Sequence, residues 1–229
     1  MRDRHAPALI AEAVGTFLFF FIGAGSVVLN DYLVANGGTS PGLLGVALAH
    51  GLALAVMVSA FAAVSGAHFN PAVTLAAWML RKIAAPRALM YVVAQLIGAA
   101  VAGFALRSIF APTAWQPSAI GTPALGAGIS PMAGIVVEAI LTSLLVFAVI
   151  GTGIDARAPK IGGLAIGLAV TADILLGGPL TGAAMNPARW FGPAVAAGAF
   201  ANWYVWWIGP AIGAAAAALV YRYALAEPS

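Results

Sequence analysis

The chain has 229 residues, 62% of them hydrophobic and 7% charged, with a formal net charge of +3 and a mean hydropathy of +1.00. That composition excludes an ordinary soluble domain and leaves room for several runs of the ~20 apolar residues that cross a bilayer. The absence of cysteine excludes disulfides and thiolate metal sites, and the basic residues stand singly or in pairs, so no nucleic-acid partner is expected.

Roughly seven residues precede the first apolar run, so no cleavable signal peptide is expected. Apolar runs predict six spans, at 8–29, 42–64, 88–110, 131–152, 162–179 and 202–224. Between spans two and three, and again between five and six, lie 70–82 and 186–198, which are too short to cross alone. Each of these opens on the same signal: Ser65-Gly66-Ala67-His68-Phe69-Asn70-Pro71-Ala72, and Thr181-Gly182-Ala183-Ala184-Met185-Asn186-Pro187-Ala188-Arg189. Asn is a good N-cap, and Pro suits the first helical turn, where its missing N–H is no loss. Each motif therefore starts a helix, and two such starts at matching places in an apolar chain predict half-helices that meet inside a membrane. The loop at about 111–130, rich in Pro, Ala and Gly, is the longest external connection and is able to fold over the outer mouth.

The two Asn-Pro-Ala boxes lie 116 residues apart, close to half the chain. Ala11-Glu12-x-x-x-Thr16 is matched by Val137-Glu138-x-x-x-Thr142, and Gln95–Ala100 is loosely echoed by Pro210–Ala215. Three spans per half reverse the second copy, so the expected architecture is an all-α membrane protein with six transmembrane helices, two re-entrant half-helices and an inverted repeat. One membrane domain is expected over 1–229, with repeats at about 8–110 and 131–224. Gly163 with Gly167, and Gly209 with Gly213, are small residues four apart that let helices approach closely. Orientation follows from Lys and Arg: with both termini cytoplasmic, Arg2, Arg4, Arg81, Lys82, Arg87, Arg157, Lys160 and Arg222 all fall inside, leaving Arg107 and Arg189.

Intramembrane ionisable groups are functional or structural by default. Glu12 and Glu138 fit either proton coupling or support of the two re-entrant loops through backbone N–H groups; their repeat symmetry favours support. Asn70 and Asn186 can offer side-chain N–H donors to a passing oxygen, and two helix N-termini facing each other repel cations. Arg189 follows the second box directly and fits the narrowest outer point. His68, two residues before Asn70, is expected at the cytoplasmic entrance, lining the pore or touching the 153–161 loop. Asp173 has three alternatives that the sequence leaves open: binding the outer loop, accepting from backbone N–H groups, or pairing with Arg107 or Arg189.

The paired boxes Asn70-Pro71-Ala72 and Asn186-Pro187-Ala188, Arg189 after the second, and the Glu of spans one and four resemble the aquaporin and aquaglyceroporin (major intrinsic protein) family across nearly the whole chain. The resemblance implies a homotetramer with one pore per subunit, loop support by Glu12 and Glu138, and an outer selectivity filter. Carried over by spacing from the two boxes, that filter is His50, Ile174, Ala183 and Arg189. His-Ile-Ala-Arg looks like the tonoplast intrinsic proteins of plants. It departs from the Phe-His-Arg pattern of strict water channels and the Trp-Gly-Phe-Arg pattern of glycerol facilitators. Ala194 and Trp206-Trp207 resemble water channels, whereas Trp190, where glycerol facilitators resemble Asp, matches neither group and is expected to pack in the outer vestibule.

The expected function is a passive channel for water, with some permeability to ammonia, urea and hydrogen peroxide. It needs no cofactor, binds no metal and catalyses no reaction. A glycerol facilitator is the alternative, and a proton-coupled transporter using Glu12, Glu138 and Asp173 is weaker. Short termini and an Ala-Gly-Arg-rich composition suggest the bacterial plasma membrane.

Overall fold

The computed structural model describes residues 5–157, 159 and 161–226, so Arg2, Arg4 and Lys160 lie outside the described residues. Chain order gives α1 (Ala6–Ala35), α2 (Gly42–Ser65), α3 (Pro71–Met79), α4 (Ala85–Ile109), a short α5 (Pro112–Trp115), α6 (Pro131–Val149), α7 (Gly162–Thr181), α8 (Pro187–Ala197) and α9 (Val205–Val220). π-helical turns at Ile150–Ile154 and Tyr221–Leu225 continue α6 and α9. Six helices among the described residues are long and apolar enough to cross a membrane. The predicted spans hold to within about a turn. The largest difference is α1, which runs six residues past residue 29, because Tyr32, Leu33 and Val34 carry the apolar run past Asp31.

The short elements differ in kind from the long ones. α3 and α8 start at Asn70 and Asn186, whose side chains accept from the N–H groups of Ala72 (2.8 Å) and Ala188 (2.9 Å), with Pro next in each case. This is the N-cap and N1 chemistry that starts a helix. Each half-helix packs against the third long helix of the other half: α3 on α9, and α8 on α4. The remaining scaffold pairs α2 with α7, α6 with α9, and α1 with α2 and α4.

Glycine sets the closest of these approaches. A Cβ on Gly167 would lie 2.7 Å from the Ala55 methyl and nearer still to the Gly51 carbonyl oxygen, so α2 and α7 touch backbone to backbone. A Cβ on Gly209 would lie 2.6 Å from that of Glu138, at the α6–α9 crossing. In lipid, where apolar area between helices gains nothing over lipid contact, such close packing holds helices together. The outward faces carry Ile, Leu and Val in number, with Ile10, Leu52, Leu89, Ile140, Leu176 and Ile212 more than half exposed in the isolated chain. Arg81, Lys82, Arg87, Arg157 and Arg222 gather around cavities at one end of the bundle.

Candidate functional site

The two loops that lead into α3 and α8 are held in an unfavourable backbone. Ala67 and Phe69 before the first box, and Ala183 and Met185 before the second, all have φ between 45° and 53°. Left-handed conformations cost an L-residue about 1–2 kcal/mol each, so something must enforce them. The enforcing groups are buried carboxylates. Glu12 accepts from the backbone N–H of His68 (2.9 Å) and Phe69 (2.8 Å), the Ser65 hydroxyl (2.6 Å) and the Gln95 amide (2.8 Å). Glu138 accepts from the N–H of Ala184 (2.9 Å) and Met185 (2.7 Å) and from the Thr181 hydroxyl (2.6 Å). Tyr91 donates to the Ser65 carbonyl and Trp206 to the Thr181 carbonyl, so the outer brace also follows the repeat.

The halves then join at the box asparagines. Asn70 Nδ2 donates to the Met185 carbonyl (2.9 Å), and Asn186 Nδ2 donates to the Phe69 carbonyl (3.0 Å). One N–H of each amide is thereby spent on the opposite loop, and one remains for a solute. Both half-helix N-termini meet here, each carrying roughly half a positive charge.

A narrow cavity runs past this junction. Its water-accessible volume is about 20 Å³, which is room for one or two water molecules at a time. His50, Ile174, Ala183 and Arg189 all line it, with Asn70 and Asn186 farther in and Phe19, Leu54, Val58, Val73, Leu145 and Val170 as apolar wall. His50, Ile174 and Arg189 also border an outer vestibule of about 720 Å³. Val58, Ala67, His68, Val149 and Ile166 also border an inner one of about 840 Å³. The three cavities thus share walls from one face to the other.

The constriction is fixed by a hydrogen-bond chain. Arg189 Nε donates to His50 Nε2 (3.0 Å), and His50 Nδ1 donates to the Val46 carbonyl (2.9 Å). Both ring nitrogens are therefore engaged: the imidazole is neutral, with its proton on Nδ1 and its Nε2 lone pair used by arginine. Arg189 Nη1 donates to the Gly121 carbonyl (2.8 Å). That carbonyl comes from the outer loop, which is anchored by fully buried Ile120 among Ala24, Val28, Leu106 and Ala196. The loop does fold over the outer mouth, and it supplies a backbone acceptor that the sequence does not reveal. The remaining guanidinium N–H groups are the donors left for a solute.

Two expectations need amendment. Asp173 is 1% exposed and makes none of the contacts expected for it: neither carboxylate oxygen has a hydrogen-bond partner among the described residues. Arg107 is instead bonded to the Ala196 carbonyl and Arg189 to Gly121 and His50, because both guanidiniums find acceptors on nearer backbone. Trp190 does not line the outer vestibule. It is buried between α8 and α9, stacked on Trp206 at 5.8 Å, in a cluster with Ala194 and Val205. It occupies the repeat position of Thr74, where a large ring fills the α8–α9 gap and presents no face to the solute path. His68 lines both the narrow cavity and the inner vestibule, where Gly153, Ile154 and Ile161 also stand; its Nδ1 lies 3.1 Å from the Thr74 hydroxyl and its ring meets Tyr91 edge-on.

Sequence reasoning missed Gln95 as a site residue. Gln95 Nε2 donates to both Glu12 and the Thr74 hydroxyl (3.0 Å), and Thr74 donates to the Asn70 carbonyl. A signal was present: Tyr91 and Gln95 are one turn apart in an otherwise apolar span, facing the loop that Glu12 braces.

The sequence model of the major intrinsic protein family matches residues 3–221. Aquaporin TIP4-4 of Zea mays is 47% identical over 217 residues, covering 93% of this chain and 84% of that protein. Probable aquaporin TIP3-2 of Arabidopsis thaliana is 46% identical over 227 residues, covering 95% and 83%. The X-ray structure of the aquaglyceroporin from Plasmodium falciparum superposes with a TM-score of 0.82 at 24% identity over 96% of this chain and 97% of that one, a likeness of fold. With paired half-helices, three cavities that share walls beside them and near-complete coverage by plant aquaporins, the chain belongs to the major intrinsic protein family of membrane channels.

Proposed function

We propose that this channel conducts water as its main solute, with ammonia, urea and hydrogen peroxide passing through the same filter. The observation that carries the reading is a narrow cavity of about 20 Å³ lined by His50, Ile174, Ala183 and Arg189. Ala183 leaves space, Ile174 makes one wall apolar, and Arg189 keeps N–H donors for an oxygen or a carbonyl. The free N–H of Asn70 and of Asn186 then turns each passing water oxygen toward the midpoint, where facing half-helix N-termini repel cations and protons. Glu12 and Glu138 serve as loop braces. Their oxygens already accept backbone and side-chain donors, so a proton shuttle through them would have to break the loops first.

Glycerol is disfavoured as main solute because the filter positions Ile174 and Ala183 carry aliphatic side chains. The chain works as one channel domain, with repeats at about 8–110 and 131–224, and as a homotetramer with a pore in each subunit. The exposed apolar faces of the spans are consistent with lipid and subunit contact. It resides in a membrane with both ends of the chain on the basic, cytoplasmic face. The two similar aquaporins from Zea mays and Arabidopsis thaliana are plant proteins, which points away from a bacterial plasma membrane.

Stopped-flow light scattering on proteoliposomes tests the solute reading. Fast shrinkage in sucrose, with little re-swelling in glycerol and a response to urea or an ammonium salt, is expected. A glycerol response as fast as the water response would overturn it.

A further inference from the structure

At the basic end of the bundle, beside the inner vestibule, the ends of three helices converge on a further cavity. It has a volume of about 440 Å³ and lies among the C-terminus of α3, the π-turn that ends α6 and the π-turn that ends α9. Arg81, Lys82, Arg157 and Arg222 line it, four of the seven Lys and Arg among the described residues. One carboxylate, Asp155, faces them, and it is already committed to a salt bridge with Arg157 at 2.6 Å and to the Tyr221 hydroxyl.

The side chains of Arg81 and Lys82 are not needed to close the helix ends. The last carbonyls of α3 have partners: Ala76 accepts from Leu80 N–H, Ala77 from Lys82 N–H, Trp78 from Arg81 N–H, and Met79 from one Arg222 N–H. The Arg81 and Lys82 side chains make no hydrogen bond or ion pair among the described residues. Leu80, Ile150 and Ile154 give the cavity an apolar lining, and Tyr223 and Leu225, in the same π-turn as its Tyr221 and Arg222, are exposed, as suits residues at a bilayer surface. A net positive pocket over an apolar floor, at the level where a membrane span ends, matches an anionic headgroup with its acyl chains alongside.

We propose that this pocket binds the phosphate of an anionic phospholipid in the leaflet on the basic face of the channel, with Arg81, Lys82 and Arg222 as its cationic ligands. None of the three lines the narrow cavity, and Lys82 also borders the inner vestibule. A phosphate there would tie the end of α3 to the ends of α6 and α9, and so steady the half-helix from its outer end.

Full-length protein reconstituted in nanodiscs of mixed phosphatidylglycerol and phosphatidylcholine, then released into detergent for native mass spectrometry, tests the proposal. The wild-type chain is expected to retain phosphatidylglycerol over phosphatidylcholine, and neutralising one cation should lower that preference by about fivefold. K82Q and K82Q/R222Q should therefore reduce it stepwise, while R87Q, outside the pocket, should leave it unchanged. Size-exclusion profiles confirm that each variant is folded, and K82Q alone, at an exposed residue, keeps the test open if the double variant fails. Equal retention of the two lipids by the wild type, equal loss in R87Q, or displacement of the lipid by excess inorganic phosphate would overturn the assignment. The last outcome would mark a soluble-anion site instead.

Discussion

The orientation of Arg189 rests on a histidine that is itself pinned, and this can be tested without touching either residue. A Cβ added at Gly23 in α1 would lie 2.5 Å from His50 Cδ2 and 2.7 Å from His50 Nε2. Carbon atoms rest about 3.5–4.0 Å apart, so the ring must retreat by about 1 Å. It has little freedom to do so, because Nδ1 is held by the Val46 carbonyl at 2.9 Å. Displacement on that scale takes Nε2 out of line with Arg189 Nε, now at 3.0 Å, and pushes the ring toward the solute path. A hydrogen bond to a charged group is worth about 1.5–3 kcal/mol. Gly23→Ala should therefore destabilise the channel by about 2 kcal/mol, or roughly 4–8 °C in thermal midpoint for a chain of this size. Its water permeability should fall. His50→Phe removes the acceptor while keeping a flat ring, and should show at least the same thermal loss with altered urea and ammonia permeation; His50→Gln, which keeps an acceptor, should recover part of it. Thermal unfolding in detergent and stopped-flow permeation on the same preparations read both effects. Wild-type midpoints and wild-type permeation for Gly23→Ala and His50→Phe together would refute the idea that His50 positions Arg189.

Gln95→Met should cost about 1–3 kcal/mol in thermal unfolding, because it leaves an oxygen of Glu12 short of a donor in the core; a neutral result would mean the brace closes without it. Asp173→Asn should raise the unfolding midpoint, since a carboxyl with no donor is replaced by a neutral amide of similar shape, whereas a fall of a few degrees would show that the acid has a partner in the membrane-embedded protein. Asp155 is held below the usual carboxylate range by hydrogen bonds from Arg157, and then from Tyr221. An acid depressed in the folded state stabilises it above the unfolded value near 4, and that contribution is lost as pH falls through the lower folded value. The midpoint difference between wild type and Asp155→Asn should accordingly shrink as pH is lowered from about 5 toward 2; a difference constant across that range would show that the contact does not titrate.

Much of this channel is local chemistry, and local chemistry is legible in a sequence. The six long helices follow from apolar runs that only a bilayer can accommodate, and the two half-helix starts follow from Asn70-Pro71 and Asn186-Pro187, which cap and begin a helix wherever they occur. The pairing of Glu12 with Glu138 and of the two boxes was visible because a repeat copies residues at fixed offsets. Contacts made by backbone from distant segments were not visible. The Gly121 carbonyl on Arg189 carries no side-chain signature, and which loop residue delivers it depends on Ile120 finding a hole among α1, α4 and α8. Asp173 and Trp190 show the same limit from the other side. Their identities announced something unusual, but whether a buried acid meets a cation, or an indole meets solvent, is decided by the angle at which neighbouring helices cross. In lipid that angle is set by glycines such as Gly167 and Gly209, which admit close contact, and only the packed structure shows which side chains then face the path and which face each other.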